Sequence, residues 1–84
     1  MKNYYELVKF IQQKIKEKLQ QEQRSVAWLA RELNLDVSNF SKKLNDNDYN
    51  IQPEMLVQIC CILGENFFQH YYNFIESKLA NGKN

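Results

Sequence analysis

Residues 25–45 read SVAWLARELNLDVSNFSKKLN, and this stretch decides the fold. Ser25 and Asp36 are residue types that cap helix N-termini, because their side-chain oxygens accept hydrogen bonds from the free amides of the first turn. After each of them, apolar residues recur at the three- and four-residue spacing of one helix face. Asn34 lies between the two runs and tolerates the left-handed backbone that ends many helices. The pattern predicts two short helices joined by a tight turn, the second over residues 37–45.

Three further helices are predicted around this pair. Apolar side chains at three- and four-residue intervals indicate an amphipathic helix over residues 4–20, with Lys, Gln and Glu on its other face. Pro53 suits the first turn of a helix and Gly64 suits its end, so the two bound a fourth helix. A fifth helix, rich in aromatic residues, is predicted over residues 66–79, and residues 80–84 are expected to be a frayed tail.

Length and composition favour one all-helical domain over residues 1–84. A chain of 84 residues is one domain's worth, and 44% of its residues are hydrophobic, enough for a single core. Two Gly and one Pro are few for a sheet protein that needs many tight turns. The chain has no apolar run of membrane-spanning length, and its first residues lack the apolar core of a signal peptide. We therefore expect a cytoplasmic protein with no membrane partner.

The sequence offers no constellation typical of an enzyme. His70 is the only histidine, and no residues at metal-ligand spacing surround it. Cys60 and Cys61 are adjacent, an arrangement that rarely makes a disulfide and does not supply a metal site. Gly64 and Gly82 are the only glycines, so no Gly-rich phosphate loop exists. We predict no enzymatic activity, no cofactor, no metal and no small-molecule ligand.

The two central helices meet the physical requirements of a helix-turn-helix, over about residues 25–45. Such a motif needs a small residue where the second helix crosses the first, and Ala30 supplies it. The second helix needs one large apolar residue opposite, which is Phe40, and the turn needs an apolar anchor, which is Leu35. The sequence thus predicts an all-α, compact five-helix bundle that contains a helix-turn-helix.

The same residues resemble the phage repressor/Cro-like (XRE-type) regulators, whose DNA-binding domain is lambda-repressor-like. The resemblance rests on Leu29, Ala30, Leu33, Asn34, Leu35, Asp36, Ser38, Phe40, Ser41 and Lys42. It continues through Pro53, Leu56, Ile59, Cys60, Leu63, Gly64 and Phe67, and covers roughly residues 10–70. Three positions depart from the family pattern: Asn34 replaces the usual Gly, Val26 stands where many relatives have a phosphate-gripping Gln, and Trp28 stands where Glu is frequent.

The resemblance implies that the helix over residues 37–45 lies in the major groove of double-stranded DNA. The side chains that it places towards the bases are Val37, Ser38, Asn39, Ser41 and Lys42. A valine can contact a thymine methyl, a serine can bond several bases, and a lysine can donate to guanine O6 and N7. The residues that it places for phosphate contact are Arg24, Ser25, Lys43, Asn45 and Asn47. Phosphate contacts fix register without reading sequence.

The aromatic stretch of the fifth helix has two interpretations. Its apolar side chains cover too much of the circumference for one buried face, so part of them either is exposed without a role or forms a homodimer interface. We favour the homodimer, because small helix-turn-helix domains commonly bind two-fold symmetric sites. Tyr71, Phe74 and Lys78 lie on the flank that we expect the two copies to share.

Together these observations predict a sequence-specific duplex-DNA-binding transcriptional regulator, a repressor that acts as a homodimer. The alternative is a helix-turn-helix scaffold for protein–protein interaction, for example an antitoxin-like protein, without strong DNA affinity. The formal net charge of only +1, from 11 basic and 10 acidic residues, favours that alternative. The capped, polar second helix opposes it. Salt dependence separates the two, because binding to several phosphates weakens steeply as salt rises.

Overall fold

Five α-helices make up the part of the chain that the structure describes. The computed structural model describes the backbone of residues 2–45 and 51–82 and the side chains of residues 5–45 and 51–80. The helices are α1 (Lys2–Gln21), α2 (Val26–Glu32), α3 (Val37–Asn45), α4 (Pro53–Leu63) and α5 (Phe67–Gly82). No strand occurs among these residues. The all-helical class and the order of five helices are as the sequence predicted.

One hydrophobic core joins the five helices. The stripe predicted on α1 is its largest contribution, with Val8, Ile11, Ile15 and Leu19 buried. The other buried apolar side chains are Leu29, Ala30, Phe40, Leu44, Ile51, Leu56, Ile59, Leu63 and Phe67. Removing this apolar surface from water is the main favourable term in the free energy of folding. The core also places α2 against α3 and α1 against α5, the two most extensive helix pairings.

The predicted N-terminal caps are formed. The Trp28 amide donates to Ser25 Oγ at 2.9 Å, and the Asn39 amide donates to Asp36 Oδ2 at 3.1 Å. A third cap begins α5, where the Gln69 amide donates to the Asn66 side-chain oxygen at 3.1 Å. Pro53 occupies the first turn of α4, as predicted. Each cap satisfies an amide that has no partner inside its own helix.

Three helices end in the same way, with a residue in the left-handed backbone region followed by an amide that bonds back to the last turn. The left-handed residues after α1, α2 and α4 are Gln23, Asn34 and Gly64, with φ of 56°, 58° and 66°. The closing bonds run from Arg24 to Leu19, from Leu35 to Ala30 and from Glu65 to Cys60, at 2.8, 2.9 and 3.0 Å. Asn34 and Gly64 were predicted in this role from their residue types, whereas Gln23 was not.

The fifth helix runs further than predicted, and the frayed tail from residue 80 stays a prediction. α5 continues to Gly82, three residues beyond its predicted end at Leu79. No proline interrupts the helix there, and Ala80 is the strongest helix former among the amino acids, so the last turn continues at little cost. Residues 83 and 84 lie outside the described part of the chain.

The described helices include none that combines the length and apolar character needed to cross a membrane. The molecule measures 46 × 27 × 19 Å along its principal axes.

Candidate nucleic-acid interface

The link between α2 and α3 holds the two helices in direct contact. Asn34 reverses the chain in its left-handed conformation, and Leu35, the predicted apolar anchor, packs half-buried against the core. Ala30 is fully buried, and Phe40 exposes only 1% of its surface. α2 therefore forms a fixed platform under α3, since a buried side chain in a packed core has little room to move.

The outward face of α3 carries most of the residues predicted to read bases. Phe40 and Leu44 turn inward, at the four-residue spacing expected of one face. Four of the five predicted base-reading side chains are exposed, namely Val37, Ser38, Asn39 and Lys42, whereas Ser41 is half-buried. The structure thus places the polar and cationic groups of α3 on the side away from the core.

The charge on α3 itself, Val37–Asn45, is positive. The helix contains Lys42 and Lys43 in its last turn and no acidic residue. The described ion pairs use neither of them: Lys14 pairs with Glu17 at 3.5 Å, and Lys18 pairs with Glu22 and Glu65 at 3.1 and 3.3 Å. Both cations also lie at the negative end of the helix dipole, which stabilises them there without any ligand.

Arg24 and Ser25 directly precede α2, and both contact Trp28. The Arg24 guanidinium carbon lies 4.5 Å from the centroid of the Trp28 ring. Such a cation–π contact restricts where the guanidinium points. Ser25 Oγ accepts the Trp28 amide, which leaves its hydroxyl hydrogen free to donate. Both side chains are exposed, as a phosphate contact requires.

The other predicted phosphate ligands differ in how much donor capacity they keep. Asn45 donates through Nδ2 to the Ser41 carbonyl at 2.8 Å, so one amide hydrogen is engaged within the helix. Lys43 is half-buried, and its ammonium group enters none of the described ion pairs. Asn47 lies outside the described residues, which do not include 46–50.

Gln12 is a residue of this region that the sequence interpretation missed. It was assigned to the polar face of α1, but the structure buries it to 5% exposure. Its Nε2 donates to the carbonyl oxygen of Lys43 at 2.7 Å, across 31 residues of sequence. The signal that points to it is spacing, because Gln12 continues the stripe formed by Val8, Ile15 and Leu19.

The predicted dimer residues have partners within the same chain. The rings of Tyr71 and Phe74 lie 5.4 and 5.0 Å from that of Phe10 on α1, centroid to centroid. Lys78 Nζ lies 5.6 Å from the Phe74 ring. Tyr71 is half-buried, whereas Phe74 remains 45% exposed. This flank of α5 therefore first serves the packing of α5 on α1.

The thiols and the histidine are spread over a different part of the fold. Cys61 is exposed and Cys60 is half-buried, and burial raises the pKa of the Cys60 thiol. His70 Nε2 lies 3.2 Å from Glu65 Oε2. Among the described residues, no group of three or more His, Cys, Asp and Glu side chains is placed to hold a metal ion.

Comparison with known proteins gives no relative: the chain matches no protein-family model, no curated protein and no solved structure.

Proposed function

We propose that this protein is a sequence-specific double-stranded-DNA-binding regulator of transcription that inserts α3 into the major groove. The observation that carries the proposal is the outward face of α3, which combines Ser38, Asn39 and Lys42 and contains no acidic residue. A major groove about 12 Å wide accepts one α-helix, and these side-chain types match the donors and acceptors of base edges. In this proposal α2 and α3 act as a lambda-repressor-like helix-turn-helix.

The phosphate contacts that we propose come from two segments of the chain. Arg24 and Ser25 precede α2, and Lys43 and Asn45 lie in the last turn of α3. Arginine, lysine and serine side chains of this kind supply most protein contacts to the DNA backbone. The cation–π contact with Trp28 supports the assignment of Arg24, because a guanidinium held in place loses less conformational freedom on binding.

Repression is the simplest mode of action for this regulator. A protein of this size that occupies a promoter blocks polymerase by steric exclusion alone. The proposed regulator acts as a homodimer, because a single short helix reads only a few base pairs and two-fold symmetry doubles the site.

One observation favours a second function, a scaffold for protein–protein interaction. Exposed apolar side chains line an open groove beside α5, where Tyr72 and Leu79 expose 61% and 64% of their surface. Patches of this kind mark interfaces. The near-neutral net charge agrees with this alternative.

The experiment that separates the two functions is selection from random duplex DNA, followed by titration of the enriched sites at low and physiological salt. The regulator predicts a two-fold symmetric motif whose affinity falls steeply with salt, by close to one power of the salt concentration for each phosphate neutralised. Recovery of no motif, with weak binding that vanishes at physiological salt, would overturn the regulator and favour the scaffold.

Single substitutions test which cations bind DNA. Lys42→Ala removes a proposed base contact, so affinity for the selected site should fall about 5- to 150-fold and specificity should relax at one position.

Lys43→Ala removes a proposed phosphate contact, so affinity should fall similarly for all sequences, and the salt slope should drop by about one. Fluorescence anisotropy of labelled duplexes measures both.

Lys14→Ala is the matched control for these two variants. It removes the same charge from α1, where Lys14 lies over Phe10 and pairs with Glu17. Its affinity should stay within about twofold of the unmodified protein, since Lys14 lies on α1 and is none of the proposed DNA contacts. Equal losses in all three variants would show a general effect of charge and would remove α3 from the interface.

A further inference from the structure

α5 presents three different faces around its circumference. One stripe, Phe67, Tyr71, Phe74 and Lys78, faces α1: Phe67 is buried, and the next two rings contact Phe10. The second stripe, which we call the outer stripe, is formed by Phe68, Tyr72, Ile75 and Leu79 and lies about 100° further round the helix. The third face is polar and carries Gln69, Asn73, Glu76 and Ser77.

The outer stripe is apolar and largely uncovered. Phe68 and Ile75 are half-buried, whereas Tyr72 and Leu79 expose 61% and 64% of their surface. With Leu7 of α1 these side chains line an open apolar groove. Their spacing of four, three and four residues is the repeat with which one helix packs against another.

The C-terminal turns of α5 are exposed in the part of the chain whose side chains are described. Every side chain from Glu76 to Ala80 is exposed, although the backbone remains helical to Gly82. Isolated helical turns are marginal in water, and most helical stability in proteins comes from packing of an apolar face. The last turns of α5 carry such a face in Leu79, which shares the groove with Leu7 and remains 64% exposed.

We propose that the outer stripe is a self-association surface, on which α5 of one copy pairs antiparallel with α5 of a second copy. The proposal deepens the homodimer of the proposed function, and it assigns the interface to the outer stripe in place of the flank formed by Tyr71, Phe74 and Lys78. Around a two-fold axis near residues 73 and 74, Tyr72 of one copy packs against Ile75 of the other, and Phe68 packs against Leu79.

Side-chain size favours the antiparallel orientation. The two aromatic residues of the outer stripe lie at its N-terminal end and the two aliphatic residues at its C-terminal end. A parallel pair would stack aromatic on aromatic at one end and aliphatic on aliphatic at the other, which would splay the helices apart. The antiparallel pair places one aromatic and one aliphatic side chain at each level, so the distance between the helix axes stays even.

The charges beside the outer stripe suit a second copy of the chain better than a lipid surface. Glu76 borders the stripe on one side and Lys78 on the other, so the margin has no net charge. In the antiparallel pair Glu76 meets Gln69, and Lys78 meets Tyr71, so no like charges oppose each other. A helix that lies on a membrane instead carries Lys and Arg over its polar face.

The size of the outer stripe predicts a weak dimer. Since a buried aromatic side chain covers roughly 150–250 Å², the exposed parts of the stripe amount to about 300 Å² for each copy. Stable complexes bury about 800 Å² for each partner. The dimer is therefore transient in solution. A two-fold DNA site stabilises it by holding the two copies side by side, which raises their effective concentration.

Sedimentation equilibrium of the full chain without DNA tests the proposal. We expect a monomer–dimer equilibrium with a dissociation constant on the order of ten to a hundred micromolar. Leu79→Glu should weaken it at least about tenfold, because it places two charges against apolar partners. The matched control is Val57→Glu, an exposed apolar position of α4 with 51% exposure, which should leave the constant unchanged.

Three results would overturn the proposal. The first is a chain that stays monomeric up to roughly millimolar concentration. The second is equal weakening by Leu79→Glu and Val57→Glu. The third is a dimer that resists Leu79→Glu but is lost with Lys78→Glu, which would place the interface on the other flank of α5. Circular dichroism of each variant shows that its helices are intact, so a loss of dimer reports on the surface.

Cross-linking tests the orientation. In a background with Cys60→Ala and Cys61→Ala, the single variant Leu79→Cys places one thiol in each copy. The antiparallel pair holds these two thiols about 16 Å apart along the helix axis, too far for a disulfide. Absence of a disulfide-linked dimer in a sample that sediments as a dimer supports the orientation, and efficient cross-linking overturns it.

These measurements can refute the proposed dimer and the proposed DNA site independently of each other. Lys42→Ala should lower the affinity for DNA and leave the dissociation constant of the dimer equal to that of the unmodified chain. Leu79→Glu should lose the dimer and bind a half-site with unchanged affinity. A chain that dimerises through the outer stripe but selects no DNA would refute the proposed function alone.

Discussion

At the scale of single residues, the side-chain amide of Gln12 makes a hydrogen bond across 31 residues of sequence. The last carbonyls of any helix lack partners within it, and a buried one must find another donor. Gln12 Nε2 supplies that donor to the Lys43 carbonyl near the end of α3. A side chain of α1 thus fixes the end of the helix that carries the proposed DNA contacts.

Replacing Gln12 with Leu should lower the free energy of unfolding by about 0.5–1.5 kcal/mol, because the Lys43 carbonyl would lose its partner in this part-buried bond. Urea unfolding followed by circular dichroism measures the difference. Gln13→Leu is the matched control, since Gln13 is the neighbouring, exposed residue and should shift stability by less than about 0.5 kcal/mol. Equal effects at the two positions would mean that the Gln12 bond contributes nothing.

Residue type explains why this contact escaped the sequence analysis. A glutamine on an amphipathic helix is exposed far more often than buried. Only the spacing of Gln12 within the α1 stripe departed from that expectation. Ser38 and Lys42 are the opposite case: their positions relative to Phe40 and Leu44 sufficed to predict that they face outward on α3. That this face binds DNA stays a prediction.

At the scale of elements, the left-handed helix ends set where each helix stops. Glycine is the residue that occupies this conformation without strain, and asparagine is the next best. Gly64 and Asn34 fit that rule, whereas Gln23 occupies the same conformation with a full side chain. The end of α1 is therefore the strained one of the three.

Gln23→Gly should stabilise the protein by about 0.5–1 kcal/mol, because it relieves the left-handed strain at the end of α1. The same substitution three residues earlier has the opposite sign: Gln20→Gly lies within α1 and should destabilise by about 1 kcal/mol. Thermal unfolding of the two variants side by side measures both. A fall in melting temperature with Gln23→Gly would show that its side chain makes a contact more valuable than the strain.

Element boundaries were predictable wherever a residue type declares them. The starts of α2 and α3 were predictable from the caps Ser25 and Asp36, and the end of α4 was predictable from Gly64. The end of α5 was predicted too early: the helix ends at Gly82, a residue type that ends many helices, three residues beyond Leu79. The two apolar stripes of α5 could not be told apart from sequence, since each carries aromatic side chains. The ring contact with Phe10 on α1 shows that Phe74 belongs to the packed stripe.

At the scale of the whole molecule, a chain of charges ties the end of α1 to the start of α5. Lys18 lies between Glu22 and Glu65, and Glu65 also contacts His70. The hydrogen bond from His70, followed by that from Lys18, lowers the pKa of Glu65. Bonds to Glu22 and Glu65 raise the pKa of Lys18. Both shifts mean that folding favours the charged forms of these groups.

Glu65 should therefore make stability depend on pH in the acid range. Its pKa is lower in the folded state, so its contribution is present above its ordinary value of 4.5 and is lost as the pH falls through the folded value. Glu65→Gln should melt at a lower temperature than the unmodified protein at neutral pH. The two melting curves should converge in acid. Glu6→Gln, an exposed α1 position outside the described ion pairs, should show no such convergence; a constant difference for Glu65→Gln would refute the linkage.

The stacking of Arg24 on Trp28 gives the protein an intrinsic optical reporter. Trp28 is the only tryptophan in the chain, so all indole fluorescence originates at the first turn of α2. Its half-buried ring loses the core on unfolding, and its emission shifts to the red as water reaches it. In the proposed complex a phosphate binds the stacked guanidinium, 4.5 Å from the ring centroid, and changes the charge beside the indole, so the emission changes without unfolding. The emission spectrum of one unlabelled sample thereby distinguishes unfolding from phosphate binding at Arg24.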